Sequence, residues 1–432
     1  MNSPTVSAKL QWIAKAAASD PGRVFTSLAH LVDVDFLKEA FRRTRKDGEP
    51  GVDGVTAKEY AEHLEENLQD LHERLRTGRY KAPPVKRAWL DKDDGGKRPI
   101  GMTGFEDKIA QRAYAMILGA VYEQDFEDFS YGFRERHSQH QALSDVRQKC
   151  REIGVAWIVD ADVAGFFDNL DWTLLLRIIK KRVNDGAIIR LIGKWLNAGV
   201  MEGHTLVHPE KGTPQGGVIS PVLSNIFLHW VLDRWYVRDV KPRLKGRSFL
   251  IRWADDFLIG CEREDDARRV LAALPKRFNL FKLTIHSSKT VLIRFQRPFF
   301  TKKKDSENGT FDFLGFTHYW ALSRQGYWVI KRKTAAKRLR RAMEALWQWC
   351  RGHRHDRLKE QHRMLCLKLR GHYQYYGVRT NIAMLEMVMR HVEKAWRYWL
   401  SRRSNKSSIR WDVFARLQRV FPLPKPRIYH AI

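Results

Sequence analysis

The sequence predicts a mixed fold of helices and strands, of the α/β or α+β class, followed by a basic helical region. Short apolar runs at 155–159, 249–251 and 257–259 are typical of buried strands. Between and after these runs, apolar residues recur every three or four positions, which is typical of helices. Strands and helices mixed in this way indicate a layered fold that contains both.

The elements follow in order along the chain. Leu10 and Ile13 predict a short amphipathic helix near the N-terminus. Helical patterns at 174–179 and 222–232 lie between the predicted strands. A polar run at 297–309 with turn residues is predicted to be a surface loop.

Two helices are predicted in the C-terminal region, from apolar positions between 339 and 350 and between 385 and 399, with Asn381 as a possible N-cap of the second. Their aromatic stripes are interpreted mainly as core. The basic residues between the stripes must then face solvent or a ligand.

The composition favours a polyanionic partner. The chain has 432 residues, with 78 Lys and Arg against 49 Asp and Glu, and a net charge of +29. A dense cationic surface attracts nucleic acid, and 15 Trp, 22 Phe and 13 Tyr supply faces on which bases can stack. Residues 331–432 hold 26 Lys and Arg against 6 Asp and Glu, which predicts a nucleic-acid-binding region there.

Length, cysteines and hydropathy limit the class of protein further. A chain of this length usually forms two or three domains. The four cysteines form no CxxC pair, so neither a disulfide framework nor a zinc ribbon is expected. No apolar run reaches the roughly 18 residues of a membrane span, and no secretory signal is visible. These features predict a cytoplasmic protein in a reducing compartment, without a membrane partner.

Carboxylates stand at the ends of predicted strands. Asp162 follows the run at 155–159, while Asp255 and Asp256 lie between two apolar runs, which predicts a hairpin whose turn presents both acids. Nucleotidyl transfer uses two divalent ions held by a few carboxylates, and buried carboxylates need a partner or a metal. An isolated Asp-Asp is more often a solvated turn. Combined with the charge of the chain, the three acids favour a site for two Mg²⁺ ions, which Mn²⁺ could also occupy.

The segment Gly212-Thr-Pro-Gln-Gly-Gly217 predicts a ligand-binding loop. Adjacent glycines let a backbone approach a ligand closely, and Gln215 offers both a donor and an acceptor. A helix is expected to begin directly afterwards, with Ser220 as N-cap and Pro221 at the first helical position. The alternative is an ordinary loop before a helix.

Together these segments resemble the reverse transcriptases of group II introns that also act as maturases. Trp253 stands where that family usually has Tyr before the two aspartates. Blocks similar to the family's motifs occur in the family's order over nearly the whole chain: the N-terminal extension at 48–56, fingers motifs at 80–85, 96–101 and 130–133, catalytic motifs at 162–168 and 253–256, the nucleotide-pocket motif at 212–217, palm motifs at 286–290 and 311–316, and the start of the maturase thumb at 370–376.

The resemblance implies an α+β right-hand polymerase fold with fingers, a palm built on an antiparallel sheet, and a helical thumb. The N-terminal extension and fingers would span 1–154, the palm 155–327 and the basic thumb or maturase region 328–432. The implied activity is that of an RNA-directed DNA polymerase, a nucleotidyltransferase that also binds intron RNA to assist splicing and mobility. Its partners would be template RNA and intron-like RNA, a DNA primer or target, and deoxynucleoside triphosphates. No nuclease module is recognised after the thumb motif, so DNA cleavage is not expected.

The resemblance also implies roles for individual residues. Asp162, Asp255 and Asp256 would be catalytic and, with the backbone carbonyl of Val163, would bind the metal ions. Phe167 would clash with a ribose 2′-OH and so select deoxynucleotides. The other nucleotide-binding residues would be Lys97, Arg98, Gln215, Gly216 and Lys289, the last as a general acid toward pyrophosphate. Primer or RNA would contact Phe313, Gly315, Lys337, Arg338, Arg341, Arg370 and Tyr373.

Several alternatives stay open. Phe167 could be a core residue, Lys97 and Arg98 could face solvent, and Lys289 could pair with a neighbouring acid. The protein could also be an RNA-binding splicing cofactor with secondary polymerase activity, or a domesticated reverse transcriptase in repair or defence. The three acids favour the polymerase, because splicing assistance alone does not require them. The oligomeric state is not predicted.

Overall fold

Runs of helices and groups of strands follow one another along the chain, which agrees with the predicted mixed α+β class. The computed structural model describes residues 5–91, 96–203, 205–213, 216–298, 308–404 and 408–432. The α-helices are α1 (Val6–Ser19), α2 (Val34–Arg43), α3 (Ala57–Glu62), α4 (Leu64–Arg76), α5 (Phe105–Tyr122), α6 (Gln139–Glu152), α7 (Phe166–Asn169), α8 (Trp172–Ile179), α9 (Gly186–Leu196), α10 (Ser220–Leu228), α11 (Glu264–Asn279), α12 (Ala336–Gly352), α13 (Leu358–Tyr376), α14 (Ile382–Leu400) and α15 (Trp411–Val420). The strands are β1 (Val85–Asp91), β2 (Lys97–Met102), β3 (Trp157–Asp162), β4 (Val200–Glu202), β5 (Thr205–Val207), β6 (Ser248–Trp253), β7 (Asp256–Cys261), β8 (Val291–Arg294), β9 (Phe311–Phe313), β10 (Phe316–Leu322) and β11 (Trp328–Thr334).

The strands form three sheets within the described residues. Their orders are β2-β1-β4-β5, β6-β7-β3-β8 and β11-β10-β9. β6 and β7 are antiparallel and in register from Ser248–Cys261 to Trp253–Asp256, which confirms the predicted hairpin. In the second sheet β7 is the neighbour of β3, so the hairpin lies beside the strand that ends at Asp162.

The chain divides into two compact units. Unit 1 comprises Met1–Ser138 and Val159–Leu292, and unit 2 comprises Gln139–Ile158 and Ile293–Ile432. Unit 1 holds the predicted catalytic motifs, and unit 2 holds the predicted thumb. The three-part division at 1–154, 155–327 and 328–432 stays a prediction.

The core of unit 1 is organised by α5, which is apolar on most of its surface. Ile109, Ala113, Ile117 and Val121 have no exposed surface, and both α1 and α2 pack against this helix. The start of α2 is capped by a residue next to it in sequence, because the Asp33 side chain accepts a hydrogen bond from the Phe36 backbone amide. The fully apolar face of α5 thus gives the smaller elements of unit 1 a common support.

The core of unit 2 lies among α12, α13, α14 and α15. Leu346, Leu369, Val388 and Trp396 are buried in one cluster, which confirms that the aromatic and aliphatic stripes are mainly core. The Trp396 indole donates to the Gln361 side chain at 2.8 Å, so the largest buried ring keeps a polar partner.

Several local predictions need correction. Ser220 is the first helical residue of α10, and the N-cap is Ile219 without a side-chain cap. Asn381 stands at the N-cap position of α14, but its side chain bonds Thr334 and the Tyr376 carbonyl instead. The predicted loop at 297–309 lies mostly outside the described residues. No helix in the described ranges is long and apolar enough to cross a membrane.

Candidate active site

The three predicted acids of unit 1 come together at neighbouring strand ends. Asp162 is the last residue of β3, and Asp255 lies in the turn between β6 and β7. Asp256 is the first residue of β7 and pairs with Trp253, so it belongs to the strand and not to the turn as predicted. All three side chains are partly exposed. Two adjacent strands therefore deliver three carboxylates to one edge of the sheet.

The turn that carries Asp255 is held from behind by a buried arginine. Ala254 has a left-handed backbone with φ of +54°, a conformation that costs energy for a residue with a side chain. Arg252 has no exposed surface, and its Nη1 donates to the Ala254 carbonyl and to Asn225 Oδ1, both at 3.0 Å. The guanidinium thus fixes the strained residue directly before the two acids.

The predicted fingers block at 130–133 packs against the same turn. The Tyr131 amide donates to the Arg252 carbonyl at 2.9 Å, and Asn225 donates to the Gly132 carbonyl at 2.7 Å. A Cβ at Gly132 would lie 2.3 Å from the Ala254 nitrogen. The glycine is therefore required by a close backbone approach, which explains its place in the motif.

The segment at 286–290 is attached to the end of β3. The His286 amide donates to the Asp162 carbonyl at 2.8 Å, and the Ala164 amide donates to the Thr284 carbonyl at 2.8 Å. These bonds bring the exposed Lys289 side chain to Asp162, where its Nζ lies 2.9 Å from Oδ2. The predicted alternative, an ion pair with a neighbouring acid, is present, and the acid is one of the three carboxylates.

The Gly-rich segment is attached to the residues that follow β3. The Thr213 amide donates to the Phe167 carbonyl at 2.7 Å, and the Gly212 amide donates to the Leu170 carbonyl at 2.8 Å. Gly212 has φ of +89°, and a Cβ there would lie 2.9 Å from the Phe167 and Asp168 carbonyls. The half-buried Phe167 therefore stands beside this loop. Gln215 lies outside the described residues.

The β1–β2 hairpin reaches the site through β2. Gly216 has φ of +112°, and a Cβ on it would lie 2.4 Å from the Gly101 carbonyl, so the loop and β2 touch through their backbones. Lys97 and Arg98 are exposed at the start of β2. Burial raises the pKa of Asp255 and the charge of Arg98 partly offsets this rise, so the Arg98 guanidinium lies within electrostatic reach of that carboxylate.

Burial and mutual repulsion govern the charge of the acids. Burial raises the pKa of Asp255, and the neighbouring Asp162 raises it further. Burial also raises the pKa of Asp256 well above its usual range, with further repulsion from Asp160, Asp255 and Asp162. Such clustered carboxylates are the donor set that hard divalent cations prefer. In the ranges that the structure describes, no three Asp, Glu, His or Cys side chains are arranged as a complete metal-binding group.

Sequence comparison decides the family. The sequence model described as "Reverse transcriptase (RNA-dependent DNA polymerase)" matches residues 90–318, just over half of the chain, and spans every element of the site. The chain belongs to the reverse transcriptase family. It is thus an RNA-directed DNA polymerase by family, and this membership implies dependence on a divalent metal ion.

Curated relatives place this reverse transcriptase more narrowly. It is 32% identical to protein YkfC of Escherichia coli over 281 residues, which cover 57% of this chain and 73% of YkfC. It is 32% identical to the group II intron-encoded protein LtrA of Lactococcus lactis over 307 residues, 68% of this chain. The chain spans about half of LtrA (51%) and 26% of the nuclear intron maturase 2 of Arabidopsis thaliana. These relatives confirm the resemblance to the group II intron reverse transcriptases and maturases.

The predicted primer-binding residues of the reverse transcriptase lie in unit 2. Phe313 is buried at the end of β9, and Gly315 follows in a turn with φ of +78°. Tyr375 donates to the Leu314 carbonyl at 2.8 Å, and the Tyr376 hydroxyl lies 3.1 Å from the place of a Cβ on Gly315. The two motifs at 311–316 and 370–376 therefore meet at this turn.

The predicted RNA-binding residues of unit 2 fall into two groups. Lys337, Arg338, Arg341 and Arg370 are exposed on α12 and α13, as an RNA contact requires. Tyr373 has no exposed surface, and its hydroxyl donates to the Met389 sulfur at 3.4 Å. Its side chain packs in the core, so a direct contact with RNA is not available to it, and any influence on binding would act through α13.

Sequence reasoning missed the residues that support the site. Arg252, Asn225 and Asp233 are buried polar residues in otherwise apolar runs. A charge inside a predicted buried strand signals a buried partner, and Arg252 gave that signal. The identity of its partner could not be read, because Asp233 is distant in sequence and no spacing rule joins the two.

Proposed function

We propose that the protein extends a DNA primer on an RNA template at the site formed by Asp162, Asp255 and Asp256, with Mg²⁺ as the metal. The observation that carries the proposal is the placement of these acids: Asp162 ends β3, the neighbour of β7 in the sheet, while Asp255 and Asp256 lie where the β6–β7 hairpin reverses. The Gly-rich loop and β2 border the same edge. An acidic edge with a cationic and glycine-rich border suits a nucleoside triphosphate held by metal ions.

Different side chains of the site would bind the metal ions and supply the proton in nucleotidyl transfer. Asp162 and Asp255 would hold the metal ions together with the Val163 carbonyl, while Asp256 would contribute less directly. Two divalent ions, when bound, balance the charge on the attacking and leaving oxygens. Lys289, which lies 2.9 Å from Asp162, would leave this ion pair and hold a proton for the departing pyrophosphate.

The remaining site residues would position the substrates. Lys97 and Arg98 would contact the triphosphate, and Gln215 with Gly216 would contact the sugar and base. Phe167 beside the loop would exclude a ribose 2′-OH. Phe313 and Gly315 would support the primer end, where the buried Phe313 ring leaves the contact to the backbone of the turn.

The right-hand polymerase arrangement is part of the proposal. Residues 1–154 would form the N-terminal extension and fingers, 155–327 the palm, and 328–432 the thumb. The predicted palm contains the β6–β7 hairpin and β3, and the region assigned to the thumb consists largely of α12 to α15 after the end of β11. A cytoplasmic location is proposed with it.

Primer extension tests the proposal. The parent protein, given an annealed RNA template and DNA primer, deoxynucleotides and Mg²⁺, should extend the primer, and Asp255→Asn should abolish extension. Asp265→Asn is a matched control, because it removes the same charge from an exposed aspartate of the same unit. A separate measurement of metal binding uses Fe²⁺, which cleaves the polypeptide near the place where it is bound. Cleavage beside Asp255 should occur in the parent and be lost in Asp255→Asn.

The outcome that contradicts the proposal is specific. If folded Asp255→Asn copies RNA at the parental rate, these acids are not the metal site. If the parent copies no RNA at all but binds it tightly, RNA binding without polymerisation becomes the primary function.

We propose a second role, in which the protein binds intron RNA and so assists splicing and mobility. The observation that favours it is the excess of positive charge in residues 331–432, with exposed Lys337, Arg338, Arg341 and Arg370 on α12 and α13. Binding to an intron RNA should fall steeply with salt, because each neutralised phosphate releases counterions. Replacement of these four residues by Gln should lower splicing stimulation while Asp255→Asn leaves it intact; loss in both variants would contradict separate surfaces.

A further inference from the structure

A cationic groove lies on unit 1 apart from the residues proposed for catalysis. It has a cavity volume of about 430 Å³. It lies between the end of α8, the turn that follows, the π-helical segment His229–Asp233 and the residue pair after α11. Its lining residues are Arg177, Ile178, Lys180, Lys181, Trp230 and Phe281. None of them is a proposed metal, nucleotide or primer residue.

The cations that line this groove form no ion pair with an acid in the part of the chain that the structure describes. Lys181 Nζ lies 4.2 Å and the Arg234 guanidinium 4.3 Å from the centre of the Trp230 ring. Among the described residues, no ion pair involves Arg177, Lys180, Lys181 or Arg234. By contrast, exposed arginines on other helices of unit 1 pair with acids one turn away, as Arg268 does with Glu264. Arg177, Lys180 and Lys181 therefore present a local positive charge, while Asp125 and Glu127 lie within electrostatic reach of Arg234.

The backbone that carries Lys180 and Lys181 is fixed from the inside. The Tyr122 hydroxyl donates to the Ile179 carbonyl at 2.9 Å. The next residue after the two lysines, Arg182, is buried and forms a two-point ion pair with Asp125 at 2.8 and 3.0 Å. The lysines thus project from an anchored turn.

The opposite wall is also fixed. Trp230 belongs to a π-helical segment, a rare conformation that is frequent at functional sites. Arg277 donates to the Trp230 and Val231 carbonyls at 3.2 and 2.9 Å and covers the Phe281 ring at 4.7 Å. Phe281 in turn packs edge-on against the buried Phe227. Both walls are therefore ordered before a ligand arrives, which reduces the entropic cost of binding.

We propose that this groove, the palm cation groove, binds the phosphate backbone of single-stranded RNA outside the copying site. Closely spaced cations that form no ion pair with an acid attract a polyanion, and the Trp230 ring holds two of them at a fixed position. An open groove with several separate cations suits successive phosphates better than one small anion. The inference rests on the proposed function only in taking RNA as the partner.

Charge removal with a matched control tests the groove. The triple variant Arg177→Gln, Lys180→Gln, Lys181→Gln should bind a 30-nucleotide unstructured RNA about tenfold more weakly at physiological salt. The slope of log K against log salt should fall by about 2, because each lost phosphate contact on a single strand removes about 0.7. The control triple variant Lys15→Gln, Lys58→Gln, Arg190→Gln removes the same charge from exposed positions of unit 1 and should change binding less than twofold.

A second variant separates an ordered groove from net charge alone. Trp230→Leu keeps every positive charge but releases Lys181 and Arg234, so it should also weaken RNA binding by several-fold. Thermal unfolding checks that the variant is folded. Equal weakening by both triple variants, or unchanged binding by the groove triple variant, would overturn the proposal, and an acidic protein would then be the better candidate for this surface.

The test of the groove can fail or succeed independently of the polymerase proposal. Extension of a primer on a short template that only fills the copying site should be the same for the parent and the groove triple variant. Failure of the parent to extend any primer would count against the polymerase, while the binding comparison would still report on the groove. Loss of short-template extension in the groove triple variant alone would overturn the placement of the groove outside the copying site.

Discussion

Arg252 and Asp233 form an ion pair without exposed surface behind the turn that carries Asp255. Arg252 Nη2 lies 2.6 Å from Asp233 Oδ2, and Nε lies 2.8 Å from Oδ1. Burial alone would raise the pKa of Asp233, but Arg252 and His229 together outweigh it and hold that pKa below its usual range. The pair therefore keeps the guanidinium in place to bind the Ala254 carbonyl, which is why a buried charge is tolerated beside the turn that carries Asp255.

The first prediction concerns this pair. Asp233→Asn should lower the free energy of unfolding by about 3 kcal/mol, because it leaves the Arg252 charge buried without a partner. It should also raise the Mg²⁺ concentration for half-maximal extension, because the turn that presents Asp255 loses its support. Urea unfolding and a Mg²⁺ titration of primer extension measure the two effects.

Another buried pair in unit 1 provides the control. Asp125 pairs with the buried Arg182, which donates to the carbonyls of Ala17, Asp20 and Arg23 and not to the turn that carries Asp255. Asp125→Asn should therefore lose stability without a change in the Mg²⁺ midpoint. An unchanged midpoint in Asp233→Asn as well would show that the pair is structural only.

The second prediction concerns the close approach of Gly132 to the turn. Gly132→Ala should destabilise the protein by about 1–3 kcal/mol, as overpacking does, and should impair extension, because the added Cβ meets the Ala254 backbone. Gly119→Ala is the control, since a Cβ there meets nothing within 4 Å. That control should be neutral or stabilise α5 by up to about 1 kcal/mol. Equal melting temperatures for the two variants would be inconsistent with this account.

The third prediction concerns sugar selection by Phe167. Phe167→Ala should lower the preference for deoxynucleotides over ribonucleotides by about tenfold or more, which corresponds to about 1.4 kcal/mol of lost steric discrimination. The half-buried ring stands beside the Gly-rich loop, where an incoming sugar is proposed to lie. Single-nucleotide incorporation with matched dNTP and rNTP gives the ratio. Phe167→Tyr keeps the bulk and should retain the preference; loss of preference in both variants would point to a core role instead.

The fourth prediction is a pH dependence of stability through Asp107. Burial raises the pKa of Asp107 to about 6, although the Trp195 and Gln111 side chains each donate to it at 2.8 Å. The pKa of Asp107 in the folded protein lies above its value in the unfolded chain. The contribution of Asp107 to the free energy of unfolding is therefore fully present below about pH 4 and is lost as the pH rises through about 6. The change amounts to about 3 kcal/mol across this window.

Unfolding at several pH values tests the sign. The free energy of unfolding of the parent, relative to Asp107→Asn, should decrease between pH 4 and pH 7. The Gln111 side chain also accepts from the Ile219 amide at 3.2 Å, at the start of α10. A constant difference between the two proteins over this pH range would mean that Asp107 keeps an ordinary pKa in the fold.

Local patterns predicted much of the fold. The apolar runs around Asp255 and Asp256 predicted the β6–β7 hairpin, because a buried strand needs a continuous apolar stretch and a turn must separate two of them. The three-and-four spacing predicted α12 and α14 for the same kind of reason. The turn residue assignments were less accurate: Asp256 belongs to a strand and Ser220 is inside its helix, since such boundaries depend on bonds that spacing does not reveal.

The sequence by itself determined the family, the acidic residues of the site and the concentration of charge in the last quarter, because motif order and composition are properties of the chain alone. Only the tertiary structure decided which residues support the site. Asp233 meets Arg252, Gly132 meets Ala254 and Lys289 meets Asp162 across many intervening residues. The palm cation groove also depends on contacts between residues that are distant in sequence. Lys181, Trp230 and Phe281 become neighbours only when α8, the π-helical segment and α11 pack together. Such contacts depend on long-range packing, which no local periodicity encodes.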